Sequence, residues 1–238
     1  MTVSEMHRSF RFGMDKMDSL NYPNFRTEEI DLLLNQAQER YVKQRYGGNN
    51  PTKTSFEEVQ KRTEDLKELI RDTLIIPNAN AVTNITSNSV FVQLPSDHWF
   101  IIQERVGLIC DKCNSEIIRS EDNLITIMGR FIKVKPIMHL EFDVEIGDAF
   151  KAPDYDKVLR LMYTDKVELI PATYCTIDRY KLRYIKQPVK LSYTTFVDCE
   201  LSQHTHQEIV DEAIKIALEG IESKRSNTFS PIIDNQKE

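Results

Sequence analysis

The sequence contains little glycine, and this scarcity limits the enzyme classes that it can represent. Seven glycines occur in 238 residues, and none belongs to the G-x-G-x-x-G pattern of dinucleotide-binding proteins or to a phosphate-binding P-loop. The G-x-S-x-G turn that exposes a serine nucleophile in α/β-hydrolases is also missing. We therefore assign no catalytic and no cofactor-binding residues, and we expect a protein that is not an enzyme.

Long apolar runs are missing as well. No segment approaches the roughly 18 consecutive apolar residues of a membrane-spanning helix. The first twenty residues, MTVSEMHRSFRFGMDKMDSL, are mixed in polarity and lack the apolar centre of a secretory signal. The sequence thus predicts a protein that is made and kept in a cytoplasm, without membrane contact.

The chain also lacks a surplus of basic residues. The chain has 31 basic and 37 acidic residues, a formal net charge of −6, whereas nucleic-acid-binding domains usually carry a surplus of lysine and arginine. The segment RYKLRYIK, residues 179–186, does interleave basic and aromatic residues, as platforms for single-stranded nucleic acid do. An exposed sheet face would give the same pattern. A small nucleic-acid-binding module is therefore kept as an alternative, and the net charge is also compatible with a surface that lets DNA slide past without gripping it.

Four cysteines are present, and in a cytosolic chain we expect free thiols. Cys110 and Cys113 have the spacing of metal ligands, but a structural zinc site normally needs two further ligands. A site built from this pair, Cys199 and His204 would support a metal-dependent hydrolase, which is the second alternative. Because the remaining cysteines are far apart in sequence, we assign no metal ligands and expect small buried thiols.

Two histidines near the C-terminus, His204 and His206, also resemble the beginning of a metal site. The H-E-x-x-H motif, which places two ligands one helical turn apart, is absent. Thr205 and Glu208 instead have the spacing of a capping box, in which each side chain bonds a free amide of the first helical turn. Apolar residues then recur at helical spacing up to Ile221. The histidines are therefore predicted to begin a helix.

Three further amphipathic helices are predicted before residue 80. The first runs from about Val3 to Leu20, and the second follows Thr27. The third opens with a capping box of Thr54 and Glu57 and continues until Pro77. Each has one apolar stripe. The stripe of the first helix is Val3, Met6, Phe10, Met14 and Met17. The stripe of the second is Ile30, Leu33, Leu34, Ala37 and Tyr41, and that of the third is Phe56, Val59, Leu66 and Ile70.

The middle of the chain, from about Ala81 to Cys199, is rich in β-branched and aromatic residues. Two short runs around Thr164-Asp165-Lys166 predict a hairpin, and RYKLRYIK has the period of a strand with one wet face. Further strands are predicted in SVFVQLP, HWFIIQERVGLI, RFIKVKPI and VKLSYTTFV.

These patterns predict an α+β fold. N-terminal amphipathic helices and a C-terminal helix pack together, and a central antiparallel β-rich region separates them in sequence. We expect four parts: helices in 1–80, a β-rich part in 81–200, a C-terminal helix in 201–225 that packs on the N-terminal helices, and an extended tail in 226–238.

Several segments, in their order and wording, resemble the head-to-tail connector (ring or adaptor) proteins of crAss-like tailed bacteriophages. The resemblance covers about residues 15–225 and is most specific between Cys199 and Ser223. The segments are MDSLNYPNFRTEEIDLLLNQAQERYVKQRYGG, VKPIMHLEFD, KVLRLMYTDKVELIP, YKLRYIKQPVKL and CELSQHTHQEIVDEAIKIALEGIES.

The resemblance implies a structural protein of the virion, assembled in the host cytoplasm. Copies would form a homo-oligomeric ring, expected to be twelvefold, under the dodecameric portal protein. The ring would contact neighbouring tail and ring proteins and leave an axial channel for genome ejection, through which DNA passes without sequence-specific binding. A heterologous interface repeated by rotation closes such a ring.

Two segments are then candidates for assembly. The tail SNTFSPIIDNQKE is too apolar for a solubility tag and too short to fold alone. We predict that it is disordered in the monomer and docks on a neighbour through Phe229, Pro231, Ile232 and Ile233. The loop Glu145–Lys157 is the second candidate.

Overall fold

The computed structural model places a defined part of the chain. The residues it describes are 1–17, 25–47, 60–77, 88–110, 116–119, 125–128 and 130–220. The chain divides into two compact units, of which the first comprises Met1–Ile70 with Gln187–Glu238 and the second Arg71–Lys186. None of the helices in this part of the chain has the length and apolarity that crossing a bilayer requires.

The described residues form five α-helices. Four belong to the first unit, and the short α4 belongs to the second. In chain order they are α1 (Val3–Met17), α2 (Thr27–Gly47), α3 (Gln60–Leu66), α4 (Phe142–Gly147) and α5 (His206–Gly220).

Helix α5 packs against α1 and α2, as the amphipathic patterns predict. The stripe of α1 is buried at Val3, Met6, Phe10 and Met14. Gly13 brings α1 close to α5, because a Cβ at this position would lie 2.3 Å from Cδ1 of Ile214. The packing of α1 against α5 therefore buries the apolar stripe of α1, and Gly13 allows the two helices to approach closely.

The ends of α1 and α5 differ from the predicted capping. Thr2 and Glu5 form a capping box that we did not predict, because the Thr2 amide donates to Oε2 of Glu5 (2.9 Å) and the Glu5 amide donates to the Thr2 hydroxyl (3.3 Å). The predicted capping box at α5 is wrong. The Thr205 hydroxyl donates to the Ser202 carbonyl at 2.8 Å, within a short 3₁₀ turn that precedes the helix.

The predicted third helix is too long at its C-terminal end. Helix α3 ends at Leu66, and strand β1 occupies Ile70–Ile75. Residues of β1 hydrogen bond within a sheet, and Arg183 on the neighbouring strand forms a bidentate ion pair with Asp72 at 2.8 and 3.0 Å. Tertiary pairing thus overrides the helical pattern here. The predicted cap at Thr54 and Glu57, with Phe56 and Val59, lies outside the described residues.

The strand predicted in VKLSYTTFV is also wrong. This segment is irregular and belongs to the first unit, where its backbone bonds to polar side chains of α2. Asn35 accepts from the Leu191 amide (2.7 Å) and donates to the Leu191 carbonyl (2.9 Å), and Asp31 accepts from the Tyr193 amide. The helix supplies the partners that a neighbouring strand would otherwise supply.

The second unit contains a seven-stranded sheet in the order β1-β9-β3-β6-β7-β8-β2, with a separate two-stranded hairpin, β4-β5. Strands β6 and β7 are parallel, and β3 is antiparallel to both β6 and β9. The strands after β1 are β2 (Val90–Gln93), β3 (His98–Cys110), β4 (Glu116–Arg119), β5 (Ile125–Met128), β6 (Arg130–Pro136), β7 (Val158–Met162), β8 (Lys166–Ile170) and β9 (Cys175–Lys186).

The predicted α+β class is confirmed. Strands β7 and β8 form the predicted hairpin, with Leu159 opposite Ile170. In β9 the side chains of Tyr180, Leu182 and Tyr184 are buried, while Lys181 is exposed, which confirms the strand with one wet face. One buried and one solvated face are typical of antiparallel sheets.

The expectation of free thiols is wrong for two cysteines. Cys110 and Cys175 are directly opposite each other at the paired ends of β3 and β9, and they form a disulfide with a Cα–Cα distance of 4.2 Å. Their sequence separation of 65 conceals this proximity. Cys199 is a free thiol, and burial raises its pKa to about 11.

Candidate assembly surface

The connection between β6 and β7, residues 137–157, is the most apolar exposed part of the described chain. It contains a 3₁₀ turn at His139–Glu141, helix α4 and a series of turns. Parallel neighbours require a long crossover, so the β6–β7 pairing explains why the segment is long. It is therefore an ordered crossover and not a hairpin loop.

Several contacts hold the crossover against the sheet. The Ile137 amide donates to the Arg160 carbonyl at 3.0 Å, and the His139 imidazole bonds to the Met162 carbonyl at 2.8 Å. Lys135 of β6 forms an ion pair with Glu145 of α4. Phe142 packs with Ile137 against the apolar cluster formed by Leu159, Leu161 and Ile170. The backbone of the crossover is consequently fixed before any partner binds.

Other apolar side chains of the crossover are exposed to solvent. We call five of them the apolar crest, and they are Met138, Leu140, Val144, Phe150 and Tyr155. Leu140 is 94% exposed and Phe150 is 92% exposed. Clustered exposed apolar side chains mark interaction sites in soluble proteins. A fixed backbone also lowers the entropy that binding must offset, so the crest has the properties of a preformed interface.

The crest overlaps the predicted assembly loop but begins earlier. Sequence reasoning placed the loop at Glu145–Lys157, and Met138, Leu140 and Val144 were missed. Glu145 itself is buried against Lys135 and is not part of the exposed surface. Apolar residues with neither helical nor strand period between β6 and β7 are the signal that could have found the rest. The tail residues Phe229, Pro231, Ile232 and Ile233 lie outside the described residues.

The two histidines hold the start of α5 in place. His204 bonds through Nε2 to Oδ1 of Asp65 at 2.9 Å. His206 donates through Nε2 to the Leu201 carbonyl at 2.8 Å, and its Nδ1 accepts from the Met1 amino group at 2.9 Å. The structure thus gives both imidazoles partners within the fold.

The residues considered for a metal site do not come together as one. The Cys110 sulfur is bonded to Cys175, so it is not a thiolate ligand. Among the residues whose positions are described, no group of three or more His, Cys, Asp and Glu side chains has a geometry that could hold a metal ion. Cys113 lies outside those residues.

Buried charges in the first unit connect three helices. Arg45 of α2 is buried and forms ion pairs with Asp65 of α3 (3.0 Å) and with Glu208 of α5 (2.7 Å). Its guanidinium also lies 5.0 Å from the centre of the Tyr41 ring. The Glu208 carboxylate is therefore occupied by Arg45, which is why it does not cap α5. Such a cluster fixes how helices meet, provided that every buried charge has a partner.

Buried carboxylates in the second unit are also paired. Glu104 accepts from the Tyr180 hydroxyl and forms an ion pair with Arg160 at 3.2 Å. Burial raises the pKa of Glu104, while Arg160 opposes this rise. A shifted carboxyl can indicate an acid or base in a reaction. This one faces the interior of the sheet beside fully buried Tyr180, so its arrangement is that of a structural group.

The solvent-facing apolar crest on an ordered backbone is a candidate surface for contact with another protein. Comparison with known families agrees with this interpretation: a family model described as phage tail ring protein 3/4 matches residues 1–228. The chain belongs to this family. The predicted resemblance to crAss-like phage ring proteins is confirmed.

Two curated relatives come from Bacteroides phage crAss001. Ring protein 3 is 26% identical over 212 residues, which cover 82% of this chain and 86% of the relative. Ring protein 4/5 is 26% identical over 239 aligned residues, which cover 91% of this chain and 92% of the relative. These proteins are structural ring proteins of a phage, and the comparisons indicate no catalytic family. A structural role in a phage tail ring follows for this chain.

Proposed function

We propose that copies of this protein form a closed twelvefold ring in the head-to-tail connector, below the portal, and that the phage genome leaves through the axial channel of the ring. The family match over residues 1–228 carries this proposal. The ring binds the portal protein or neighbouring ring and tail proteins on its two faces and assembles in the host cytoplasm. The protein catalyses no reaction in this role.

The exposed apolar crest supports ring formation. A ring needs a heterologous interface, in which one patch of each copy meets a different patch of the next. Crest side chains such as Leu140 and Phe150 are available for this contact, because they take little part in the core of their own unit. Burying an apolar side chain of this size contributes roughly 1.5–3 kcal/mol. Repeated at every interface of a ring, this contribution is substantial.

Mass measurement and negative-stain imaging of the purified protein test the proposal, alone and after mixing with the portal protein. Rings that form alone or on the portal are the expected result. The portal is needed in the experiment because a ring protein can stay monomeric until a neighbour nucleates it. A protein that stays monomeric in both samples, and that is absent from purified virions, would contradict the proposal.

Replacing Leu140 and Phe150 together with serine is expected to abolish ring formation while leaving the monomer folded. Both side chains are more than nine-tenths exposed, so the change in monomer stability should stay within about 0.5 kcal/mol. Analytical ultracentrifugation and imaging with the portal give the readout. The matched control replaces Leu32 and Ile76, which are 58% and 75% exposed, with serine. Equal losses of assembly in both variants would rule out a specific role for the crest.

Deleting residues 226–238 is expected to weaken assembly, because we propose that the tail docks on a neighbouring copy or an adjacent ring. A second variant keeps the tail length and changes Phe229, Ile232 and Ile233 to serine, so that apolar contact is separated from length. Both variants should show a lower fraction of rings in the same imaging experiment. Unchanged assembly in both would end the idea of a docking tail.

A further inference from the structure

The outward face of the sheet in the second unit carries a row of cations across three neighbouring strands. Lys133 of β6 is directly opposite Arg105 of β3, and Arg105 is directly opposite Lys181 of β9. All three residues are exposed. Neighbouring strands are about 4.8 Å apart, so the row extends over about 10 Å. We call these three residues the cation row.

The charges that surround the cation row are neutralised within the unit. Arg183 pairs with Asp72, Arg179 pairs with Asp178 at 2.7 Å, and Lys135 pairs with Glu145. Within the described ranges, the three residues of the row itself form no ion pair. Like charges directly opposite each other destabilise a sheet. Asp72 is the acidic group beside the row: it pairs with Arg183 and also interacts with Lys181, so one carboxylate faces several cations.

The surroundings of the row indicate the class of ligand. A cleft of about 180 Å³ beside it is lined only by polar and charged side chains. Its lining residues are Asp72, Gln103, Arg105, Lys181 and Arg183. Protein interfaces are depleted in lysine and need apolar contact at their centre. Interfaces with nucleic acid are more polar and much more positively charged. The composition thus favours a phosphate backbone over a second protein.

We infer that the cation row contacts the phosphate backbone of double-stranded DNA without reading its sequence. This inference rests on the proposed function, and it assigns the β6-β3-β9 face to the inner wall of the channel. Each DNA strand advances about 3.4 Å per phosphate, so a row of about 10 Å can neutralise about three phosphates. Because the rest of the chain is acidic, the contact is weak and lets DNA move.

The test measures the binding of the full-length protein to a fluorescently labelled 30-base-pair duplex of arbitrary sequence, over a series of salt concentrations. The variant changes Arg105, Lys133 and Lys181 to glutamine. Its plot of log affinity against log salt should be less steep by about 2.7, since each phosphate contact contributes about 0.9. Its melting temperature should not fall, because the substitutions remove repulsion between neighbouring strands.

The control variant changes Lys61, Lys67 and Lys190, three exposed lysines of the first unit, to glutamine. It has the same net charge as the test variant and should keep the salt dependence of the unmodified protein. A wild-type protein that does not bind the duplex at 20 mM salt would overturn the inference. So would equal slopes for the test and control variants.

Ring formation on the portal is scored separately with the same variants. If the test variant binds DNA normally but no longer assembles, the row contacts a second copy and the DNA assignment is wrong. If the wild-type protein binds DNA through the row but never forms rings, the inference stands and the proposed function fails.

Discussion

Replacing Arg45 with methionine is expected to destabilise the protein by about 3–5 kcal/mol, the usual cost of removing one partner from a buried ion pair. Asp65 would remain buried beside His204, without the guanidinium at 3.0 Å. Glu208 would lose its 2.7 Å partner as well. Urea denaturation of the full chain, followed by circular dichroism, measures the change.

Lys43 provides the matched control, because it is on the same helix and pairs with Glu39 at 3.7 Å in an exposed position. Its replacement with methionine should cost less than about 1 kcal/mol. A double variant of Arg45→Met and Asp65→Leu should recover part of the loss, since it leaves no unpaired charge between α2 and α3. If the Arg45 and Lys43 variants have equal stability, the buried cluster does not hold the helices together.

Removing the Cys110–Cys175 disulfide is expected to cost about 4 kcal/mol, because the bond closes a loop of 65 residues in the unfolded chain. The variant changes both cysteines to serine, and its urea denaturation is compared with that of the unmodified protein under oxidising conditions. Adding a reductant to the unmodified protein should lower its denaturation midpoint to that of the variant.

Cys199→Ser serves as the control for this experiment, because Cys199 is a free thiol and its replacement should leave the effect of reductant unchanged. Alkylation of the oxidised protein in denaturant, followed by peptide mass analysis, checks the pairing directly. Cys110 and Cys175 should be modified only after reduction. Modification of both before reduction would show that they are free thiols, as the sequence alone predicts for a cytosolic protein.

The elements that could be predicted from the sequence are those with a local signal. The stripe of α1, with Met6 and Phe10, follows from helical spacing, and the alternation in β9 follows from the strand period. The local pattern predicts helix where strand β1 lies, because the pairing partner of β1, strand β9, is about a hundred residues further along the chain. The disulfide and the cation row were missed for the same reason, since both are created by strand register.

The candidate site was predicted only in part. The loop after Glu145 stood out by its length, but the exposure of Leu140 depends on how α4 lies against the sheet. Neither the helical nor the strand period of a sequence indicates whether such a side chain is exposed. The segment that begins at Val189 has a β-like composition, which predicts a strand, and only the structure shows that Asn35 and Gln38 of α2 satisfy its backbone.

The first unit is discontinuous, because it joins residues 1–70 to the segment that begins at Gln187. Helices α1 and α2 leave the ribosome early in synthesis, yet the helix that covers them, α5, emerges among the last residues. A prematurely terminated product therefore keeps its apolar stripes exposed and is open to proteases and chaperones. Burial of these stripes therefore waits until α5 itself has been translated.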